Sequence, residues 1–450
     1  MKKLNVSGYR GIWGEDLNEQ IAFEFGIAFA RFLKKKNNNS KIIIGRDARI
    51  TGPKILNALA QAFDQENIVY EYAGIIPTPS ILLAIRKNSF DGGIIITASH
   101  NPKEYNGLKF ANEKGLFLDE KEIIEVNKER ESISGEFFTE KIKDLKENDI
   151  YSKQHVEEIL KNIDIKKIKE KKFKIVHDPI NSAGSFITKE LLEMLNCEVI
   201  QINKETNGLF AHKPEPLKEN LYDLSQEVIR QKADIGFAQD PDADRLVVVN
   251  ENGEILNEEY TLALALKNIL KKENNRNKKI CINMSTSKIC EDIATENGYE
   301  TIRTKIGEAN VVNAIIENYA LAGGEGSGGV IYPIINSARD SLVGIVLILE
   351  LLARENKKIS TLAKEIPVYF MKKDKIIFTG EIENIYNSIK NLYPEAQTNT
   401  LDGLRLDITD EGWIHIRPSN TEPIIRIILE LKTEEKLNTV FEEIKLTLGS

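Results

Sequence analysis

Cysteine is scarce: the chain has three in 450 residues, Cys197, Cys281 and Cys290, and no CxxC pair. An odd number without paired spacing excludes a disulfide framework and a zinc ribbon, and the expected compartment is a reducing cytoplasm. Positive charge is not in excess either, since 61 Lys and Arg face 69 Asp and Glu. A net charge of −8 offers no electrostatic footprint for nucleic acid. Long apolar runs are missing too. The best, Leu342–Leu349, is eight residues long before Glu350 interrupts it, against about 20 needed to cross a bilayer. It reads as a buried helix, and the lack of an apolar stretch after the lysines near Met1 leaves no signal peptide. The expected partner is a small molecule, with neither nucleic acid nor membrane, and the chain is expected as a monomer or homodimer.

What is present is a pattern of β-branched runs alternating with helical stretches, which predicts βαβ units around largely parallel sheets. The first unit runs Lys41–Ile44, a helix over Pro53–Gln65, Ile68–Tyr72, a helix near Ser80–Arg86, then Gly93–Thr97. After a Lys-rich, weakly patterned stretch (Glu140–Lys172) the pattern restarts with Phe173–His177, a helix over Ser185–Leu195, Glu198–Ile202, a helix near Leu221–Gln231, and Asp234–Ala238. A third round follows a hairpin at Val247–Leu256, with strands at Ile280–Asn283 and Glu300–Arg303 and a strand or loop over Leu321–Tyr332. Rounds of roughly 100 residues suggest a repeated architecture with little residue identity. From Lys375 onward the order becomes strand, helix, strands, helix, which predicts an α+β tail. The tracts KKKNNN (Lys34–Asn39) and KKENNRNKK (Lys271–Lys279) read as solvated loops.

Four segments carry chemistry. Thr97-Ala98-Ser99-His100-Asn101-Pro102 ends an apolar strand, so it sets Ser99 at the carboxyl edge of a sheet as a nucleophile. The competing reading is a strand-to-helix turn whose Ser and Asn cap a helix. Asp240, Asp242 and Asp244, at alternate positions of an extended loop, suit a hard divalent cation. An EF-hand fails there, because Arg245 stands where glycine is needed and Leu246–Val249 reads as a strand. Gly323–Gly329 has five glycines but no P-loop or dinucleotide spacing. Its Glu325 and Ser327 suit sugar hydroxyls, and a plain flexible turn is the alternative. Arg417-Pro418-Ser419-Asn420-Thr421-Glu422-Pro423 with Arg426 makes a cradle for a phosphate dianion, unless it is a salt-bridged structural turn.

In this order and spacing, and with Ser7–Gly11 and Gly45-Arg46-Asp47-Ala48-Arg49 ahead of them, these segments resemble the α-D-phosphohexomutase superfamily over essentially the whole chain. The resemblance implies three related α/β domains and a C-terminal α+β domain of the TATA-binding-protein-like type around a central cleft. The implied divisions are 1–145 (phosphoserine), 146–252 (metal), 253–366 (sugar) and 367–450 (phosphate). It implies a phosphoserine at Ser99, with Mg²⁺ held by Ser99, Asp240, Asp242 and Asp244, and a hexose 1,6-bisphosphate that turns around in the cleft. Arg10, His100, Lys109 and Arg245 then have electrostatic or proton-transfer work, with Lys109 as general acid or base because crowding by cations would lower its pKa. Glu325 and Ser327 would hold the sugar, and Arg417, Ser419, Asn420, Thr421 and Arg426 the distal phosphate. The motifs look most like phosphoglucosamine mutase of the archaeal and Bacteroidetes type, with phosphomannomutase/phosphoglucomutase as the alternative. They depart from the wider pattern at Gly329, often histidine in these branches, and at Lys305–Glu308, which lacks a histidine. A sugar-phosphate phosphatase and a non-catalytic sugar-phosphate-binding protein are weaker rivals.

Overall fold

The computed structural model describes residues 4–133, 137, 145–272, 277–378, 380–409, 411–418 and 424–448. Strands β1 (Tyr9–Ile12), β2 (Lys41–Arg46), β3 (Val69–Ile75), β4 (Gly92–Ile96) and β5 (Tyr105–Asn112) form one sheet in the order β1-β5-β4-β2-β3. Strands β6 (Lys174–Asp178), β7 (Glu198–Gln201), β8 (Ile235–Gln239) and β9 (Leu246–Asn250) form the second, ordered β7-β6-β8-β9. The third contains β10 (Lys279–Asn283), β11 (Glu300–Thr304), β12 (Ala322–Glu325), β13 (Gly329–Tyr332) and β14 (Asn336–Arg339), ordered β11-β10-β12-β13-β14.

These three sheets repeat one plan. A parallel trio is centred on β2, β6 or β10, and the next strand, β5, β9 or β13, returns antiparallel. The expectation of largely parallel sheets therefore holds for the trios and fails at their edges. The reason is chain length: the connections at 97–104, 240–245 and 326–328 are too short for the crossover that parallel strands require. Those three connections hold the serine, aspartate and glycine-rich motifs. Each lies at the carboxyl end of the third strand, beside the crevice where strand order reverses.

The helices correct the sequence reading in several places. Glu19–Lys36 is an 18-residue helix that the reading omitted; the Asn18 side chain accepts the Ile21 N–H, and Phe23, Phe25, Phe29 and Phe32 are buried along it. Lys34, Lys35 and Lys36 are its last turn rather than loop, where cations meet the negative end of the helix dipole. The Lys-rich stretch after residue 140 contains helices at Ile150–Lys161 and Ile165–Lys171; residues 140–144 lie outside the described residues. Leu342–Leu349 belongs to the buried helix Ser341–Glu355, and no helix among the described residues is long and apolar enough to cross a membrane.

The last sheet is wholly antiparallel: β15 (Phe370–Ile377), β16 (Gln397–Asn399), β17 (Leu404–Ile408), β18 (Gly412–Pro418) and β19 (Ile424–Leu431), ordered β15-β19-β18-β17-β16. Ile414, Ile416, Ile425 and Ile427 pack with Ile389, Phe441 and Ile444 of two helices. The strand period of two then puts Trp413, His415 and Arg417 on the opposite face.

Buried polar contacts lock these layers together. His155 joins Ser80 Oγ at Nδ1 (2.8 Å) and Asp340 Oδ2 at Nε2 (2.8 Å), all fully buried. Glu259, 3% exposed, accepts the Ser287 N–H at 2.9 Å and lies 3.8 Å from Lys373 of the last sheet. Burial outweighs both attractions and pushes its pKa up to about 8. A raised acid contributes stability that is full below its unfolded pKa, near 4.5, and lost as pH rises through 8. Glu259→Gln should therefore resist urea better than wild type at pH 9, on the order of 1–3 kcal/mol, and the gap should close toward pH 5.

Candidate active site

Ser99 sits in the connection after β4 with φ near +50°, a left-handed conformation that costs a non-glycine residue about 1–2 kcal/mol. What holds it there is Arg49. Its Nη2 donates to the carbonyls of Ser99 (2.5 Å) and Asn101 (2.7 Å), and its Nη1 to those of Pro102 (2.7 Å) and Tyr105 (2.9 Å). Arg49 Nε in turn donates to Asp47 Oδ2 at 3.0 Å, which also accepts the Thr97 hydroxyl at 2.7 Å. The Gly45–Arg49 segment thus braces the serine loop, a role that sequence reasoning did not assign. No helix follows the serine; the chain returns as β5, so the helix-capping alternative falls.

The aspartate connection is a tight turn rather than an extended loop, since Ala243 has φ near +52°. Its carboxylates still converge: Asp240, Asp242 and Asp244 are fully buried, with oxygens within 4.8 Å of one another. Asp240 Oδ2 accepts the Ser99 hydroxyl at 2.9 Å, and Oδ1 accepts the N–H groups of Asp244 and Arg245 at 3.1 Å each. Asp242 Oδ2 accepts from Thr78 and Lys109, both at 2.6 Å. Asp244 Oδ2 accepts from Arg339 at 2.6 Å and Lys109 at 3.3 Å. The other oxygens, Asp242 Oδ1 and Asp244 Oδ1, are buried without a hydrogen-bond partner. Buried lone pairs with no donor are what a hard cation satisfies, so the residues fit a divalent ion. Glu251 is elsewhere, bonded to Ser360, as the failed EF-hand requires.

Charges around this cluster are sharply divided. Burial, then Asp244 and Asp242, raise the Asp240 pKa well above the carboxylate range. Burial is the largest influence and would raise Asp242 and Asp244 as well, but Lys109 with Thr78 at Asp242, and Arg339 with Lys109 and Arg245 at Asp244, together outweigh it, so both are lowered. Lys109, on β5 and 4% exposed, is raised: burial opposes its charge, yet Asp242 and Asp244 win. The expectation of a lysine depressed by cations is corrected, because its contacts are carboxylates. His100 is strongly lowered, first by Arg245, then by burial and Arg10. Its neutral ring places Nδ1 3.4 Å from Ser99 Oγ. Arg10, on β1, donates to Asn101 Oδ1 at 3.2 Å, and Arg245 reaches Glu215 at 3.3 Å.

Glu325, at the end of β12, differs from expectation. Rather than presenting free acceptors, its Oε2 accepts from Arg339 at 2.7 Å and its Oε1 from Asn283 (2.8 Å) and the Gly307 N–H (3.0 Å). Ser327 is half-buried in the turn beside it. Arg417 and Arg426 face each other directly across β18 and β19, with Lys375 of β15 opposite Arg426 on its other side. Arg417 Nη1 is 3.2 Å from Asp402. Ser419, Asn420 and Thr421 lie outside the described residues.

Models of the phosphoglucomutase/phosphomannomutase family match in chain order: alpha/beta/alpha domain I over 1–135, II over 153–253, III over 257–369, and the C-terminal domain over 393–447. A "Phosphoglucomutase/phosphomannomutase" of Thermococcus kodakarensis is 36% identical, covering 98% of this chain and 97% of the relative. A "Phosphoglucosamine mutase" of Methanocaldococcus jannaschii is 34% identical over 97% and 96%. A "Phosphoglucosamine/phosphogalactosamine mutase" of Sulfurisphaera tokodaii is 32% identical over 99% and 98%. Among solved structures, a phosphoglucomutase/phosphomannomutase family protein from Burkholderia thailandensis superposes with TM-score 0.83 at 25% identity, covering 99% of this chain and 97% of its own. An N-acetylphosphoglucosamine mutase from Aspergillus fumigatus, solved with GlcNAc-6P and magnesium, shares the fold at TM-score 0.61 and 12% identity, covering 100% of this chain and 95% of that one. Matched in all four family domains and aligned end to end with curated relatives, the chain belongs to the phosphoglucomutase/phosphomannomutase family, within the α-D-phosphohexomutase superfamily.

Proposed function

We propose that this family member is an isomerase that interconverts hexose 6- and 1-phosphates through phospho-Ser99, with glucosamine phosphate as its main substrate. The observation that carries the reading is the Ser99 hydroxyl, held 2.9 Å from Asp240 at the edge of a buried carboxylate triad ringed by cations. Phosphoryl transfer needs little from a protein beyond positioning and charge neutralisation. A divalent cation at Asp240, Asp242 and Asp244, Mg²⁺ in this proposal, supplies Lewis-acid neutralisation of phosphoryl oxygens when bound.

The chain's own residues do the rest. The P–O bond to Ser99 breaks as a bond forms to a sugar hydroxyl oxygen; that hydroxyl loses its proton, and the serine oxygen gains one. Lys109, kept charged by its carboxylates, is assigned as the proton donor to the departing serine oxygen, and neutral His100 as the acceptor of the sugar hydroxyl's proton, the two roles reversing when the other phosphate returns to Ser99. Arg10 and Arg245 face the phosphoryl group. The resulting 1,6-bisphosphate reverses, and its other phosphate returns to Ser99. Residues 1–145, 146–252, 253–366 and 367–450 supply the serine, cation, sugar and distal-phosphate sites. The cytoplasm is the proposed compartment.

Arg417, Arg426 and the 419–421 segment are assigned to the non-reacting phosphate. Like charges directly opposite on neighbouring strands destabilise a sheet by about 0.2–1 kcal/mol, so this pair is better suited to an anion than to the empty fold. Arg426→Gln should leave the melting temperature equal or slightly higher. It should raise KM for a hexose phosphate roughly tenfold or more, from the loss of a charged hydrogen bond of about 1.5–3 kcal/mol. A raised KM accompanied by a lower melting temperature would count against the repulsion argument.

The Thermococcus kodakarensis relative favours a second reading, glucose and mannose phosphates as main substrates. Turnover of glucosamine, glucose and mannose phosphates, measured together with phosphate release, separates the two. Inert glucosamine phosphate would give the second reading precedence, and net phosphate release would indicate a phosphatase.

A further inference from the structure

Arg339, the last residue of β14, is 7% exposed, and its guanidinium meets carboxylates from separate parts of the chain. Nη2 donates to Asp244 Oδ2 at 2.6 Å, Nη1 to Glu325 Oε2 at 2.7 Å, and Nε to Glu308 Oε2 at 3.2 Å. Its backbone N–H donates to Glu308 Oε1 at 2.8 Å, which fixes the root of the arm. Only a planar fork serves several acids at once; a lysine ammonium is a single point charge. Gly329 makes the room, for a Cβ there would stand 2.3 Å from Arg339 Cδ. The glycine at 329 is thus the space this arm occupies, and any side chain there displaces it.

The consequence lies in which oxygens remain. Arg339 and Lys109 take Asp244 Oδ2 and leave Oδ1 without a hydrogen bond, its nearest cation being Arg245 Nε at 3.9 Å. The same guanidinium holds Glu325 in the glycine-rich connection. We propose that Arg339 is a positioning residue that couples these two loops, so that a change at Glu325 is felt at Asp244 through the shared guanidinium. This rests on the reading of Asp240, Asp242 and Asp244 as the cation site. Binding linkage is reciprocal, so the sugar loop's state and cation affinity must then respond to each other.

The test is a double-mutant cycle on the full chain, read by calorimetric titration with Mg²⁺ rather than by turnover. Glu325→Gln, which alters no proposed cation ligand, should weaken Mg²⁺ binding about fivefold or more, because the guanidinium loses one acid and bears more heavily on Asp244. In an Arg339→Lys background the same change should matter less than about twofold. Gly329→Ala displaces the arm without removing it and should mimic Arg339→Lys; should it fail to fold, the Arg339→Lys cycle alone decides. Equal shifts in both backgrounds would mean a field acting through space, and no shift in either would mean no coupling; each overturns the proposal. A wild type that binds no Mg²⁺ would instead overturn the cation-site reading beneath it.

Discussion

Ser99→Ala is expected to lose a phosphate-sized increment in intact mass together with nearly all turnover, a fall of at least about three orders of magnitude. The argument is geometric before it is chemical. Ser99 is the only hydroxyl placed against the carboxylate triad by the serine loop, because Thr97 Oγ1 is spent on Asp47 and on the Ser99 N–H. A neighbouring hydroxyl cannot substitute without undoing the brace that Arg49 and Asp47 provide. Alanine keeps that brace, since Arg49 grips backbone carbonyls, so the variant should melt near the wild-type temperature. A Ser99→Ala enzyme at wild-type rate would end the phosphoserine assignment.

How much of this was legible in the sequence depended on distance along the chain. Short connections crowded with chemistry were visible, because TASHNP, DPDADR and GEGSGG each interrupt a strand with residues that a mere turn does not need. The parallel trios were visible for the same local reason, as β-branched runs. Partners far apart in sequence were not. Lys109 reads locally as a lysine after Asn106-Gly107-Leu108, and nothing there shows the aspartates that hold it charged. Arg49 and Arg339 are ordinary arginines until folding brings four carbonyls to one and three acids to the other. At Gly329 the sequence showed only a missing histidine; the structure shows an arginine filling that place. The helix Glu19–Lys36 was passed over because its buried surface is wide, leaving a weak polar stripe to mark the 3.6-residue period.

Asp242→Asn should lower turnover by about two to three orders of magnitude, the loss expected when several kcal/mol of transition-state charge neutralisation is removed. Asp242 contributes one of the two partnerless buried oxygens and the shortest contact to Lys109, 2.6 Å. An amide at that position weakens the cation site and leaves Asp244, at 3.3 Å, as the carboxylate that pairs with Lys109. The fold should tolerate the change: an amide oxygen still accepts the Thr78 hydroxyl, and removing one of three crowded charges relieves repulsion that lifts the Asp240 pKa. Excess chelator on the wild type should produce a loss of similar size, and it should add little to the variant, because both act on one site. Ca²⁺ should occupy that site yet restore only poor turnover, since its larger, looser coordination shell aligns the phosphoryl group less well than the octahedral shell of Mg²⁺. Full wild-type activity under excess chelator would remove the cation from the mechanism and leave Lys109, Arg339 and Arg245 to neutralise the triad.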